Sequence, residues 1–304
     1  MLAQCRARDD DRNASRKPDT MTNKGHWATL SAYARGRTSV FASRLDQRMS
    51  YCCYIPASYT ETGDRRYPLA VLVHGSLRDA TGLRDQFIDF AEAAQCALLA
   101  PLFPCGIVEP GDLHNYKRML YEGIRYDRVL LDMIAEIGET YRLHTDRVLM
   151  HGFSGGGQFA HRFLYLHPER LMGVSIGAPG VVTLPDPDKP WWVGTGGLEA
   201  IFGRRLDLDA MRKVPVEMVV GAQDVETWDV TVKPSSPNWM EGVNDTGKTR
   251  IDRLRSLERA FLAQGISVRF DVVPDVEHAG GLVQEPVKAF FSDVLTGRGL
   301  ARSP

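Results

Sequence analysis

The chain has 304 residues, with 37 Lys+Arg against 38 Asp+Glu and a formal net charge of -1. That balance lacks the basic excess a nucleic-acid partner would demand. The length suffices for a large core, as one domain with insertions or one domain with a small cap.

Residues 1–24 are polar and charged throughout and read as a disordered leader, with Met21 as an alternative start. They lack the apolar region of a secretory signal. No apolar stretch in the chain reaches the roughly 18 residues of a membrane span. The five cysteines, Cys5, Cys52, Cys53, Cys96 and Cys105, are too scattered for a disulfide framework and contain no Cys-x-x-Cys pair. A cytoplasmic location is therefore expected, with no metal and no cofactor. The oligomeric state is open, a homodimer included.

Residues 25–304 read as one domain. Segments 38–42 and 48–55 are expected to be antiparallel strands at a sheet edge. Cys52 and Cys53, adjacent on the second, should face opposite ways. Residues 67–75 form a core strand, 83–94 a helix and 96–103 another strand. Residues 126–141 form an amphipathic helix with Leu130, Ile134, Ile137 and Tyr141 on one face. Strand 147–153 and its following helix come next, then strands 172–176, 215–220 and 268–273 and a closing helix 286–295. Strands alternating with helices predict an α/β fold with a mostly parallel sheet covered on both faces. Chemistry in such sheets collects at the carboxyl ends of the strands.

Gly152-Phe153-Ser154-Gly155-Gly156 carries the most information. With 28 glycines in the chain, a Gly-x-Ser-x-Gly can arise by chance, so its setting decides. An apolar strand precedes it, and Phe159, Ala160, Phe163 and Leu164 give the next segment an apolar helical face before Pro168 closes it. Strand, tight turn and helix are the setting of a nucleophile elbow, in which a strained central serine is lifted clear of the sheet.

A serine hydroxyl needs a base, and the base needs an orienting acid. With this elbow the chain order is Ser, then Asp or Glu, then His. Of the eight histidines, only His278 lies beyond the elbow helix and its exit, in a turn after the 267–273 strand. His74, His151, His161 and His167 read as packing or capping residues, and the spacing of the last two is wrong for a metal pair. Asp224, closing the strand that ends at Gly221, is the expected acid, with Glu226, Asp229, Asp275 and Glu277 as rivals. Gly155 and Ser76 are the expected backbone donors of an oxyanion hole, with Leu77 second to Ser76.

Together His74-Gly75-Ser76, Gly152-Phe153-Ser154-Gly155-Gly156, Gly221-Ala222-Gln223-Asp224 and the turn ending at His278 resemble the α/β-hydrolase superfamily, over residues 37–296. The Gly-Phe-Ser-Gly-Gly-Gly elbow and His167-Pro168-Glu169-Arg170 resemble the polyhydroxybutyrate-depolymerase-like and feruloyl-esterase-like esterases. The resemblance implies an α/β-hydrolase fold of about eight strands with a small lid. It implies a serine esterase acting on a small or medium carboxylic ester through an acyl-enzyme. Ser154 excludes the branch that uses an aspartate nucleophile. A peptidase or amidase of the prolyl-oligopeptidase type would use the same triad, and a non-catalytic binding protein on this fold is the third reading.

Residues 183–214 and 227–249 interrupt the alternation and are expected to form lid insertions. Trp191, Trp192 and Trp228 are expected to line an apolar substrate pocket there. Arg204 and Arg205 read as a solvated pair or a carboxylate-binding pair, and His114, Asn115 and Tyr116 as a loop bordering the pocket.

Overall fold

In the computed structural model, residues 30–298 are described; the expected leader lies outside them. Two short strands, β1 (Gly36–Arg37) and β2 (Phe41–Ala42), pair antiparallel with β3 (Ser50–Ile55). The strand expected at 38–42 is confined to β2, with β1 lying just before the expected segment, and the sheet has nine strands among the described residues. Cys52 packs against Ala80 and Ala100 while Cys53 joins the main core, on opposite faces as the strand period requires.

After β4 (Leu69–Val73) the expected helix 83–94 is two helices, α1 (Ala80–Asp85) and α2 (Ile88–Ala94). Asp79 starts α1 early by accepting the Gly82 N–H. Phe87 interrupts the run by turning into the core beside His151. The chain continues through β5 (Ala97–Leu102), a small hairpin of β6 (Leu120–Tyr121) and β7 (Ile124–Arg125), and α3 (Tyr126–Thr140). Next come β8 (Val148–Phe153), α4 (Gly155–Leu166) and β9 (Leu171–Gly177).

Within 183–214 lie two short helices, α5 (Leu198–Phe202) and α6 (Leu208–Met211). The chain then forms β10 (Val216–Gly221), α7 (Arg250–Ala263), β11 (Val268–Val273) and α8 (Gln284–Leu295). Helix α7 has no counterpart in the elements expected from the sequence, although Thr249 and Asp252 cap its start reciprocally.

The sheet order is β1-β3-β5-β4-β8-β9-β10-β11, and from β5 to β11 neighbouring strands run parallel. Every residue of β4, β8 and β10 is buried, as in a sheet covered on both faces. From β4 the chain steps outward to β5 and then returns to β8 on the other side of β4. The carboxyl ends of β4 and β8 therefore flank a topological switch point, where such sheets open a crevice. Segments 183–214 and 227–249 meet in a small second core, in which Val181, Trp192 and Val193 pack with Val243.

Candidate active site

Ser154 follows the last residue of β8 and precedes the first of α4, with φ 57° and ψ −113°. A non-glycine residue holds this conformation at a cost of about 1–3 kcal/mol, so its surroundings must impose it. They do so by close backbone packing. A Cβ on Gly152 would stand 2.2 Å from the Gly156 carbonyl oxygen, and one on Gly156 would stand 2.1 Å from that of Val73. Glycine at both positions lets the start of α4 press onto β8 and β4, and the Ser154 N–H donates to the Gly177 oxygen at 2.8 Å. The serine side chain faces a cavity, where its hydroxyl bonds no other described residue.

The loops after β10 and β11 are laced together. Ala222 N–H donates to Val273 and Gln223 N–H to Val276, both at 2.8 Å. A Cβ on Gly221 would stand 2.2 Å from the Val276 oxygen, so only glycine admits this approach. The lacing brings His278 Nδ1 to 2.6 Å from Asp224 Oδ2. The imidazole stacks on Phe153, the residue before Ser154, with centroids 4.8 Å apart.

Asp224 is fully buried, and its other oxygen accepts from Arg250 Nη1 at 2.9 Å. Arg250, the first residue of α7, also pairs with Asp229. Both carboxylate oxygens of Asp224 are thus engaged, as a buried anion requires. Of the rival acids, Asp229 is taken up by Arg250, and Asp275 meets Gln223.

The loop after β4 is pinned from three sides. His74 accepts the Phe103 N–H at its Nε2 (3.0 Å), which leaves Nδ1–H to donate to the Gly75 oxygen at 2.8 Å. Burial pushes the His74 pKa down to about 4, so it stays neutral as a structural post. The Tyr116 hydroxyl donates to the His74 oxygen at 2.9 Å, and Arg78 donates to the Ser76 oxygen at 2.6 Å. A Cβ on Gly155 would lie 3.2 Å from Ser76 Oγ, so Ser76 and Gly155 stand side by side. Leu77, by contrast, is almost wholly exposed.

The other histidines expected to pack or cap are held by local hydrogen bonds. His151 meets Ser175, His161 bridges the Gly157 oxygen and the Thr183 N–H, and His167 bonds Asp127.

A cavity of about 160 Å³ opens on Ser154 and Ser76. Only one of the three expected tryptophans lines it. Trp192 does; Trp191 instead packs edge-on against Phe202 and donates to the Arg118 oxygen, and Trp228 is 76% exposed. Nor is the cavity apolar. Beside Trp192, Val181, Val230 and Val232 stand Lys117, Arg118, Gln158 and Arg250.

The 114–116 loop does border it through His114, but the charged residues just beyond, Lys117 and Arg118, went unnamed in the sequence. Arg204 and Arg205 lie elsewhere, paired with Glu169 and Glu199, which fits the solvated reading. Among the described residues no group of three or more His, Cys, Asp and Glu is arranged to hold a metal, and no helix is long and apolar enough to cross a membrane.

An elbow serine at the switch point of a doubly wound sheet, with an Asp–His pair on later strand ends, defines the α/β-hydrolase fold. Solved structures of that fold are similar to this chain. The poly(3-hydroxybutyrate) depolymerase LpqC from Bordetella parapertussis matches with a TM-score of 0.65 at 23% identity, over 81% of this chain and 84% of its own. Poly(aspartic acid) hydrolase-1 from Sphingomonas sp. KT-1 matches with a TM-score of 0.68 at 18% identity, over 84% and 98%. An S-formylglutathione hydrolase from Agrobacterium tumefaciens matches at 0.56 and 17%, over 89% and 98%. No family model and no curated protein matches the sequence.

Proposed function

We propose that this chain is a serine hydrolase that cleaves a carboxylic ester through an acyl-enzyme. The observation that carries the reading is the 2.6 Å bond between His278 and a buried Asp224, with that imidazole stacked on the residue preceding an elbow serine. In this mechanism Ser154 Oγ attacks the ester carbonyl while its proton passes to His278 Nε2. Asp224 accepts Nδ1–H, which fixes the tautomer and stabilises the imidazolium.

The tetrahedral oxyanion is held by the backbone N–H groups of Gly155 and Ser76, each such donor contributing roughly 2.7–4 kcal/mol to the transition state. His278 then protonates the departing alkoxide. Water repeats the sequence on the acyl-enzyme, releasing the acid and restoring Ser154. Substrate-free enzymes of this kind often hold serine and base apart until substrate tightens the site.

Labelling with a fluorophosphonate tests the nucleophile. Wild type should be labelled and Ser154→Ala should not; labelling that persists in Ser154→Ala refutes the assignment. An ester panel run beside aminoacyl amides tests the bond cleaved. Faster amide than ester turnover would favour the peptidase or amidase reading.

A further inference from the structure

Among the described residues several arginines have carboxylate partners, while the buried Arg142 and Arg253 donate to backbone carbonyls instead. Arg125 meets Asp127, Arg84 meets Asp85, Arg269 meets Asp271, and Arg250 meets Asp224 and Asp229. The cavity at Ser154 holds one such pair, Arg250 with Asp229, beside two cations that have no carboxylate partner among the described residues. Lys117 is buried, yet the partner of its ammonium is His114 Nδ1 at 3.2 Å, and no carboxylate among the described residues pairs with it. Arg118 donates to Asn238 Oδ1 at 2.5 Å and lies over the Trp192 ring at 4.5 Å, again without a carboxylate.

Behind them Arg162 is wholly buried. It donates to Thr183, Gln158 and the Lys117 carbonyl, and its Nη2 has no hydrogen-bond partner among the described residues. The nearby Asp112 is occupied by the N–H groups of His114 and Asn115.

Lysine and arginine are almost never buried without a counter-charge, because leaving water costs several kcal/mol per ion. The free cavity is uncomfortable for its ammonium. Burial, reinforced by the charges of Arg78 and Arg162, pushes the Lys117 pKa down to about 8. A bound anion would relieve this.

The cations are also close to the chemistry. A Cβ on Gly155 would lie 2.8 Å from Lys117 Cε, so the lysine stem rests against the residue that follows the nucleophile. Val181, Val230 and Val232 supply apolar surface to the same cavity, and about 160 Å³ is the size that holds a six-carbon ring.

We infer that Lys117 and Arg118, backed by Arg162, form an anion subsite, and that the substrate is a short aliphatic ester carrying a terminal carboxylate. The inference rests on the esterase reading above and adds the substrate class. The valines and Trp192 take the methylene chain, and Lys117 and Arg118 take the carboxylate. A substrate without that charge leaves both cations unanswered in the closed complex. The selectivity then comes from the penalty on the neutral ester as much as from attraction to the charged one.

The test compares monomethyl glutarate with methyl 5-methylhexanoate, which replaces the carboxylate by an uncharged group of the same shape. Turnover is followed by pH-stat at pH 7 and low salt. Wild type should prefer the charged ester by at least about tenfold in kcat/KM, since a hydrogen bond to a charged group is worth a factor of about 10 to 100. Lys117→Met and Arg118→Met should each reduce that ratio about tenfold or more, and Arg118→Lys should recover part of it.

A wild-type ratio at or below one, or a ratio that neither Met variant changes, overturns the inference. Fluorophosphonate labelling separates the two claims. A chain that is labelled and cleaves both esters equally keeps the esterase reading and loses the subsite. If neither ester is cleaved, the esterase reading falls, and calorimetric titration with glutarate decides the subsite alone. Glutarate binding that Lys117→Met abolishes supports it, and no binding to wild type refutes it.

Discussion

Replacing Arg250 with methionine removes one of the two partners of a fully buried carboxylate. Asp224 gives Oδ1 to Arg250 at 2.9 Å and Oδ2 to His278 at 2.6 Å. Breaking a buried pair costs about 3–5 kcal/mol; His278 still answers Asp224, so the lower end is expected. At about 2–4 °C per kcal/mol for a domain of this size, melting should fall by about 6–12 °C. The catalytic effect is separate. Arg250 anchors the carboxylate that accepts from His278 Nδ1, and without that anchor the carboxylate can turn away from the imidazole.

Loss of that orientation should lower kcat/KM by about tenfold, the worth of one hydrogen bond to a charged group. The measurement is kcat/KM for a neutral ester, taken with thermal denaturation of the same protein. A variant that melts lower but keeps its kcat/KM would show that Arg250 braces the loop without acting on His278. That outcome would refute the orientation argument.

Three further outcomes follow from other parts of the structure. Trp192→Ala should change selectivity across acyl chain lengths, because Trp192 lines the cavity and carries Arg118 on its ring; Trp228→Ala, at an exposed side chain, should leave that profile unaltered within twofold. The preference for a carboxylated ester should fade as pH rises through about 8, where Lys117 loses its proton. The groups facing that ammonium, His114, Arg78, Arg162 and Asp112, include no acid paired with it to hold its charge, and a flat ratio from pH 6 to 9.5 would exclude Lys117 as the source. In β10, burial and the charge of Asp271 push the Glu217 carboxyl well above the usual carboxylate range. A raised carboxyl pKa makes stability full below its unfolded value and drains it as pH rises through the folded one. Urea unfolding of Glu217→Gln should therefore show a gain over wild type that grows from pH 5 to pH 8, and equal pH dependence in the two proteins would contradict it.

What the sequence made legible was whatever depends on short-range backbone chemistry. The elbow could be read because Gly152 and Gly156 answer contacts imposed by the strand–turn–helix itself. The pairing of Asp224 with His278 could be read because loops at the ends of parallel strands come together in a fixed chain order. Helix α7 escaped although Thr249 and Asp252 spell its capping box, since its charged run carries a weak apolar stripe. With α7 went Arg250, whose partnership with Asp224 spans 26 residues of chain and leaves no periodic trace.

The character of the cavity was misread for a physical reason. Tryptophans in a long loop suggest an apolar lining because exposing them is costly, yet one loop ring can remain in water while another packs sideways on a neighbour, as Trp228 and Trp191 do. Meanwhile the loop of His114, Asn115 and Tyr116, expected to border the pocket, runs on into Lys117 and Arg118, whose burial has no sequence pattern. That burial is created at a distance, by Tyr116 bonding the β4 loop and Arg162 bonding the Lys117 carbonyl from α4. Those two anchors draw Lys117 inside without bringing a carboxylate along. The sequence pattern therefore reaches the local geometry at Ser154, whereas the charges that tertiary packing leaves unanswered are set by contacts distant in the chain.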